Sequence, residues 1–185
     1  SNQCHINCDC GKYIEIGNNV FMEYLLENDR YLPLGRHNVD FGGGLIRIAM
    51  ILQNVDSIYE TDIYKPIFNR IQNISKIQNI QSQRVITDHI VASTWAIMDG
   101  VTPSNSMQGY ILRRLIRRAM RHAKSLGIDT PFLSVVAKEA ISQFSPIWQQ
   151  LSEKENDILT TLEQEEKKFN NTLEKGLREL ENLTK

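Results

Sequence analysis

Beyond about Ser57 the apolar residues of this chain recur at three- and four-residue intervals, whereas before it they fall in short runs broken by glycine and asparagine. This change of period constrains the fold more than any other feature. A repeat near 3.6 lines one face of a helix, and a repeat of two lines one face of a strand. The chain is therefore expected to be α+β, with a small antiparallel sheet in residues 1–57 and a mostly helical region over 58–185 that ends in a long helix. Ile14, Ile16, Val20, Phe21, Tyr24 and Leu25 predict one or two strands, with a turn at Asn28-Asp29-Arg30. Pro33 and Gly35 punctuate the next stretch. Val39-Asp40 then runs through Gly42-Gly43-Gly44 into Leu45, Ile48, Ala49, Ile51 and Leu52, whose spacing is helical.

The helical region carries repeated start and stop signals. Thr61 or Asp62 is expected to cap a helix bearing Ile63, Ile67, Ile71 and Ile74. A second helix spans about Ser82 to Asp99, with Gly100 just past its end. Ser104 is expected to cap a third that reaches Leu126 and Gly127, and Thr130-Pro131 starts a fourth. Ser145-Pro146 repeats that signal, and Ser152 with Glu155 forms a capping box. The last helix should run to about Leu183. Its apolar stripe is Leu151, Ile158, Leu162, Phe169, Leu173, Leu177 and Leu180, which predicts an arm that packs on another element. Gly176 weakens it by about 1 kcal/mol relative to alanine.

Composition excludes several classes. Hydrophobic residues are 41% and charged residues 23%, too globular for a disordered tail. No run approaches the roughly 18 apolar residues of a membrane span. Ser1-Asn2-Gln3-Cys4-His5 lacks the basic-then-apolar pattern of a signal peptide, so a cytoplasmic location and no membrane partner are expected. Cys4, Cys8 and Cys10 are the only cysteines and cluster in the first ten residues, which fits a reducing compartment better than a disulfide framework. With His5 they could hold zinc. The tight spacing and the lack of a second ligand pair favour free thiols, and no metal is assigned.

The net charge of −1 predicts no partner, but the distribution of charge does. Between Asp99 and Asp129 there is no acidic residue, while Arg113, Arg114, Arg117, Arg118, Arg121 and Lys124 cover an arc of about 140° on a helical wheel. Leu112, Leu115, Ile116, Ala119, Met120, Ala123 and Leu126 fill the opposite arc. Like charges four residues apart cost a few tenths of a kcal/mol per pair. A solvated face normally mixes signs. An unmixed arginine face points to a polyanion, because guanidinium meets phosphate with two parallel bonds. The alternative is a structural face paired with acids of the last helix. Asn105, just before this helix, has an amide that both donates and accepts, which suits contact with a base edge.

Several segments, in order, resemble the alanyl-tRNA synthetase family. Pro103-Ser104-Asn105 with Gly109-Tyr110-Ile111-Leu112-Arg113-Arg114-Leu115-Ile116-Arg117-Arg118-Ala119 is similar to its tRNA-recognition region. Val39-Asp40-Phe41-Gly42-Gly43-Gly44-Leu45-Ile46-Arg47 resembles its class II motif three, and Glu15-Ile16-Gly17-Asn18-Asn19-Val20-Phe21-Met22 the strand before it. Tyr59-Glu60-Thr61-Asp62, Asp88-His89-Ile90 and Ala96-Ile97-Met98-Asp99-Gly100-Val101 also match, and Glu165-Glu166-Lys167-Lys168-Phe169 through Thr172-Leu173 and Gly176 continues the resemblance.

The resemblance implies that residues 1–57 end a class II catalytic domain and that 58–185 form a helical tRNA-recognition domain. It implies ATP-dependent activation of alanine, with Mg2+, and transfer to tRNA(Ala), and no role in binding DNA. Arg47 is implied to grip ATP phosphate, with Gly42 and Gly44 admitting the nucleotide. Asn18, Val20 and Asp40 are implied to bind alanine, Asp40 through its ammonium. Asn105 is implied to read a G·U pair in the acceptor stem, and Arg113, Arg114, Arg117, Arg118 and Arg121 to hold flanking phosphates. The chain departs from the family at Ile46 and His5, where glutamates are usual, at Gly17 for a tryptophan and at Phe41 for a threonine. These changes keep open a non-catalytic tRNA-binding paralogue. This chain alone is expected not to make alanyl-adenylate, and no residue within it is assigned as catalytic.

Overall fold

A computed structural model describes residues 4–8 and 10–183. Ser1, Asn2, Gln3, Asp9, Thr184 and Lys185 lie outside the described residues, as do the side chains of Leu177 and Glu181. The chain divides into two compact units, residues 1–61 and 62–185.

In the first unit, Asn28 and Asp29 both adopt left-handed backbone, with φ of 48° and 59°. Two such residues make the tight turn whose twist matches that of paired strands. They join β1 (Gly17–Glu27) to β2 (Arg30–Gly43) in an antiparallel hairpin with Glu27 opposite Arg30 and Gly17 opposite Gly43. The register is irregular between Met22 and Tyr24. Pro33 does not interrupt β2; it sits opposite Tyr24. A two-stranded ribbon has only edge strands, where proline is tolerated. β2 passes through Gly44 into α1 (Leu45–Leu52), and a 3-10 turn follows at Ile58–Glu60, capped by Ser57 Oγ accepting from Tyr59 N at 3.4 Å.

The second unit consists of α2 (Lys65–Ile74), α3 (Ile80–Met98), α4 (Met107–Ser125), α5 (Leu133–Phe144), the short α6 (Gln150–Glu153) and α7 (Glu155–Leu183). Its core joins Ile67 and Ile71 of α2, Ile86 and Ile90 of α3, Leu112 and Ile116 of α4, Leu133 and Val136 of α5, Leu151 of α6, and Ile158 and Leu162 of α7. α3 and α4 share the most extensive packing, and α3 also meets α2, α5, α6 and α7. Polar residues are therefore buried on α3. Thr87 and Thr94 satisfy their hydroxyls by donating to the carbonyls of Gln83 and Ile90, both at 2.9 Å.

Several expected caps are replaced. α2 begins at Lys65 with Pro66 in its first turn, past Thr61 and Asp62. Asn79 caps α3, its Oδ1 accepting from Ser82 N at 2.9 Å. α5 starts at Leu133, and Phe132 N donates to Glu166 Oε1 on α7 at 3.1 Å, so its cap comes from another helix and not from Thr130. Ser152 lies inside α6 and not at a cap of α7. α7 has 29 residues. Its first half delivers Ile158 and Leu162 to the core, and beyond Phe169 it is largely exposed. Among the described residues no helix is long and apolar enough to cross a membrane.

Candidate nucleic-acid interface

The amphipathic pattern of α4 is realised as written. Leu112, Ile116, Ala119, Met120 and Ala123 are buried. On the other side Tyr110, Arg113, Arg114, Arg117, Arg118 and Arg121 line an open groove of about 680 Å3. The helix begins at Met107, later than a Ser104 cap would place it, and Ser106 occupies the cap position without a side-chain bond. Ser104 instead stays outside the helix. Its Oγ donates to Ser106 O at 2.9 Å, and its N–H donates to Gly109 O at 3.0 Å. The 102–104 segment lies so close to α4 that a Cβ at Gly109 would collide with Ser104 Oγ and the Thr102 carbonyl. Glycine is what allows this close approach, and the approach brings Asn105, which is exposed, to the end of the arginine row.

Two of the expected free cations are not free. Glu165 of α7 is only 2% exposed. It accepts from Arg117 Nε at 2.8 Å and lies 3.4 Å from Arg113 Nε. Arg117 also lies over the Phe169 ring, 5.7 Å from its centroid. The expectation of a face with no counter-charge is thus corrected at these two positions, because α7 packs along α4 and carries an acid to them. Arg114, Arg118 and Arg121 remain exposed, and among the described residues they form no ion pair. Burial, then Arg118 and Arg121, hold the His122 imidazole below its ordinary pKa, and its Nδ1 lies 3.0 Å from Ser82 Oγ. It adds no charge to the face at pH 7.

Arg113 is hydrogen-bonded at two nitrogens, and its third, Nε, is buried beside Glu165 without a hydrogen bond. Its Nη2 donates to Pro103 O at 3.1 Å and its Nη1 donates to Asn105 Oδ1. The alternative read from sequence, a face paired with acids of the last helix, holds at Arg113 and Arg117. Which acids are buried, and the close approach at Gly109, are not legible there. Glu165-Glu166 within a Glu- and Lys-rich helix gives no sign that either acid is buried. The four-residue spacing from Ser104-Asn105 to Gly109 was the available signal for the loop.

In the first unit the pairs Asn18–Gly42 and Val20–Asp40 are directly opposite, so Asn18, Val20, Asp40 and Gly42 share one face of the ribbon. A Cβ at Gly42 would meet nothing nearer than Asn18 Oδ1 at 4.0 Å, leaving the backbone open to a ligand there. Gly17 alternates to the other face. There the Phe41 ring lies across it, 3.0 Å from where a Cβ would be, so the ring from the opposite strand fills the space a side chain at 17 would need. Gly44 N donates to Ile16 O at 2.8 Å, and Arg47 Nη1 donates to Glu15 O at 2.8 Å. Arg47 is exposed at the start of α1, with donors left for an anion. Ile46 is half-buried and supplies no charge.

The sulfurs of Cys4, Cys8 and Cys10 lie within 4.8 Å of one another, and the thiols are free. Cys4 and Cys10 are 3.2 Å apart. The backbone N–H of Lys12, then the Cys4 thiol, lower the Cys10 pKa, whereas the contact with Cys10 raises that of Cys4. His5 does not join them; its Nδ1 accepts from Asn7 N at 3.2 Å. Among the described residues this is the one clustered set of three or more such donors. Its softness suits neither Mg2+ nor phosphate chemistry.

A family model described as tRNA synthetases class II (A) matches residues 1–185. Among similar proteins, an alanine–tRNA ligase of Treponema pallidum (strain Nichols) is 43% identical over 97% of this chain and 31% of its own length. One from Borreliella afzelii (strain PKo) is 43% identical over 98% of the chain and 32% of its own length. One from Elusimicrobium minutum (strain Pei191) is 39% identical over 98% and 22%. The chain thus spans between 22% and 32% of the length of these relatives.

Proposed function

Because this chain belongs to the class II tRNA synthetase (A) family, we propose that it is the part of an alanine–tRNA ligase that supplies motif three and recognises the tRNA(Ala) acceptor stem. The observation that carries this reading is the row of exposed Arg114, Arg118 and Arg121, without an ion pair among the described residues, running from Asn105 along one face of α4. Three guanidiniums at helical spacing track a line of phosphates, and Asn105 at the end of that line reaches a base edge. An A-form stem presents those edges in a wide, shallow minor groove.

In the ribbon, the Asp40 carboxylate pairs with the ammonium of alanine while Val20 and Asn18 bound the side of that site. Arg47 holds an ATP phosphate, and the strip from Gly42 to Gly44 lets the nucleotide lie against the backbone. ATP supplies the activated phosphate in the whole ligase, and the residues here position its partners. Mg2+ accompanies ATP; the described residues of this chain assemble no carboxylate set for it. The neutral Ile46 favours a second reading, a paralogue that binds tRNA without activating alanine. Alanylation by the full natural polypeptide would exclude that paralogue, and failure would favour it. The chain alone should show no ATP–pyrophosphate exchange.

The test of the main reading is binding of acceptor-stem duplexes as salt is raised. Log affinity should fall steeply with log salt, by roughly 0.7 to 0.9 for each phosphate contacted. Arg118→Ala should weaken G·U and G·C stems alike, whereas Asn105→Ala should reduce the preference for G·U. A flat salt dependence would overturn the reading.

A further inference from the structure

Arg113 belongs to the basic face by sequence, yet its guanidinium is turned inward. Its side chain is 21% exposed, and that of Glu165 beside it 2%. Of its three nitrogens, Nη1 faces Asn105 Oδ1, Nη2 faces Pro103 O, and Nε faces Glu165. Little of the group remains for a phosphate. The oxygen and nitrogen of an amide are hard to tell apart by shape alone. Here chemistry decides, because a guanidinium only donates and the amide atom that meets it must be the oxygen. The Asn105 nitrogen is then the atom turned outward, with two N–H donors.

We propose that Glu165 is a positioning residue for RNA recognition. Its buried charge, hydrogen-bonded to Arg117, draws Arg113 inward by ion pairing at 3.4 Å. Arg113 holds the Asn105 carbonyl inward, and Asn105 thereby presents only donors to the stem. This rests on the acceptor-stem reading above and adds what the site selects. The group read by Asn105 is a hydrogen-bond acceptor in the minor groove: a pyrimidine O2, a purine N3 or a 2′-hydroxyl. Guanine's exocyclic amino group is itself a donor and does not satisfy it. G·U and G·C offer the same kinds of acceptor, so the preference rests on where the wobble displacement places the pyrimidine O2. Arg113 sets the reader and does not clamp the backbone, which divides the arginine row by role. Burying a carboxylate is costly unless it is paired. Two guanidiniums at Glu165 offset that cost and leave the outer arginines uncommitted.

Binding of G·U and G·C acceptor-stem duplexes to the 185-residue chain and its variants tests the relay. Glu165→Gln removes a negative charge and weakens the hold on Arg113. The preference for G·U should fall about tenfold, while affinity for the G·C stem rises because the face gains net positive charge. A purely structural role for Glu165 would weaken both stems together. Arg113→Lys keeps the charge and loses the planar fork, so it should lose the preference with the salt slope unchanged. Asn105→Asp keeps the contact with Arg113 and has no donor; it should lose the preference as well. If Glu165→Gln and Arg113→Lys, folded by circular dichroism, both keep the wild-type preference, the relay is wrong. Should Glu165→Gln not fold, Arg113→Lys decides alone. Retained preference in Asn105→Asp would overturn the donor assignment. A wild-type chain that binds both stems equally would overturn the acceptor-stem reading itself, and the relay with it.

Discussion

The ribbon of the first unit and the helices of the second use apolar residues in opposite ways. In β1 and β2, Val20, Phe21, Tyr24, Leu25, Tyr31 and Phe41 are all at least half exposed. In α4, Ile116 and Ala119 are almost fully buried, as are Ile158 and Leu162 of α7. The ribbon owes its form to local chemistry: a two-residue turn, β-branched and aromatic pairs and a backbone ladder. The helical unit owes its form to a shared interior. A hairpin with neither face covered is marginal by itself, so stability is concentrated in residues 62–185.

The sharpest test of this contrast compares two truncations. Leu162→Ala should destabilise the chain by about 2–5 kcal/mol, because it opens a cavity in the helical core. Phe21→Ala, at 76% exposure, should cost less than about 0.5 kcal/mol. Urea unfolding followed by circular dichroism measures both. Equal costs would mean that the ribbon is packed on something.

Next in size is Gly109→Ala. Its Cβ would strike Ser104 Oγ and the Thr102 carbonyl, backbone that cannot yield cheaply. A loss of about 1–3 kcal/mol is expected. The G·U preference should fall as well, since the 102–105 segment must move. A loss of stability with the preference unchanged would show that Asn105 does not depend on this close approach.

Acid should weaken the helical unit through His89. Burial, then Arg118 and His122, lower its pKa from 6.5 to about 4. The neutral ring is the folded form, so the contribution of His89 is complete above pH 6.5. It is lost as pH falls from there through about 4, because the unfolded chain binds the proton first. Melting temperature followed from pH 7.5 to 4 should drop less in His89→Gln than in wild type. Parallel curves would place the acid sensitivity elsewhere.

Much of this was legible because it is local. Asn28-Asp29, Gly100, Gly127 and the two arcs of α4 each act within a few residues, and each stands where the sequence puts it. What was hidden depends on distant partners. Glu165 and Glu166 belong to a helix whose surface is otherwise charged, and only the packing of α7 reveals that one neutralises Arg113 and Arg117 and the other caps α5. Gln83, Thr87 and Thr94 read as surface positions until α3 is seen to be surrounded. Residues 18, 20 and 40 fall between these cases. Alternation puts 18 and 20 on one side, but only the hairpin register places Asp40 opposite Val20.

The smallest expected effect lies at the far end of α7, where the helical unit becomes as exposed as the ribbon. A Cβ at Gly176 would meet nothing within 4 Å. Gly176→Ala therefore brings only the intrinsic gain, about 1 kcal/mol in favour of helix at that position. Fraying of an exposed helix end is a local event, uncoupled from the core around Leu162. The variant should slow amide exchange over residues 170–183 by several-fold and leave the urea midpoint of the whole chain unchanged. A shifted midpoint would mean that the outer half of α7 folds together with the core, and that the division between packed and unpacked apolar residues does not reach into this helix.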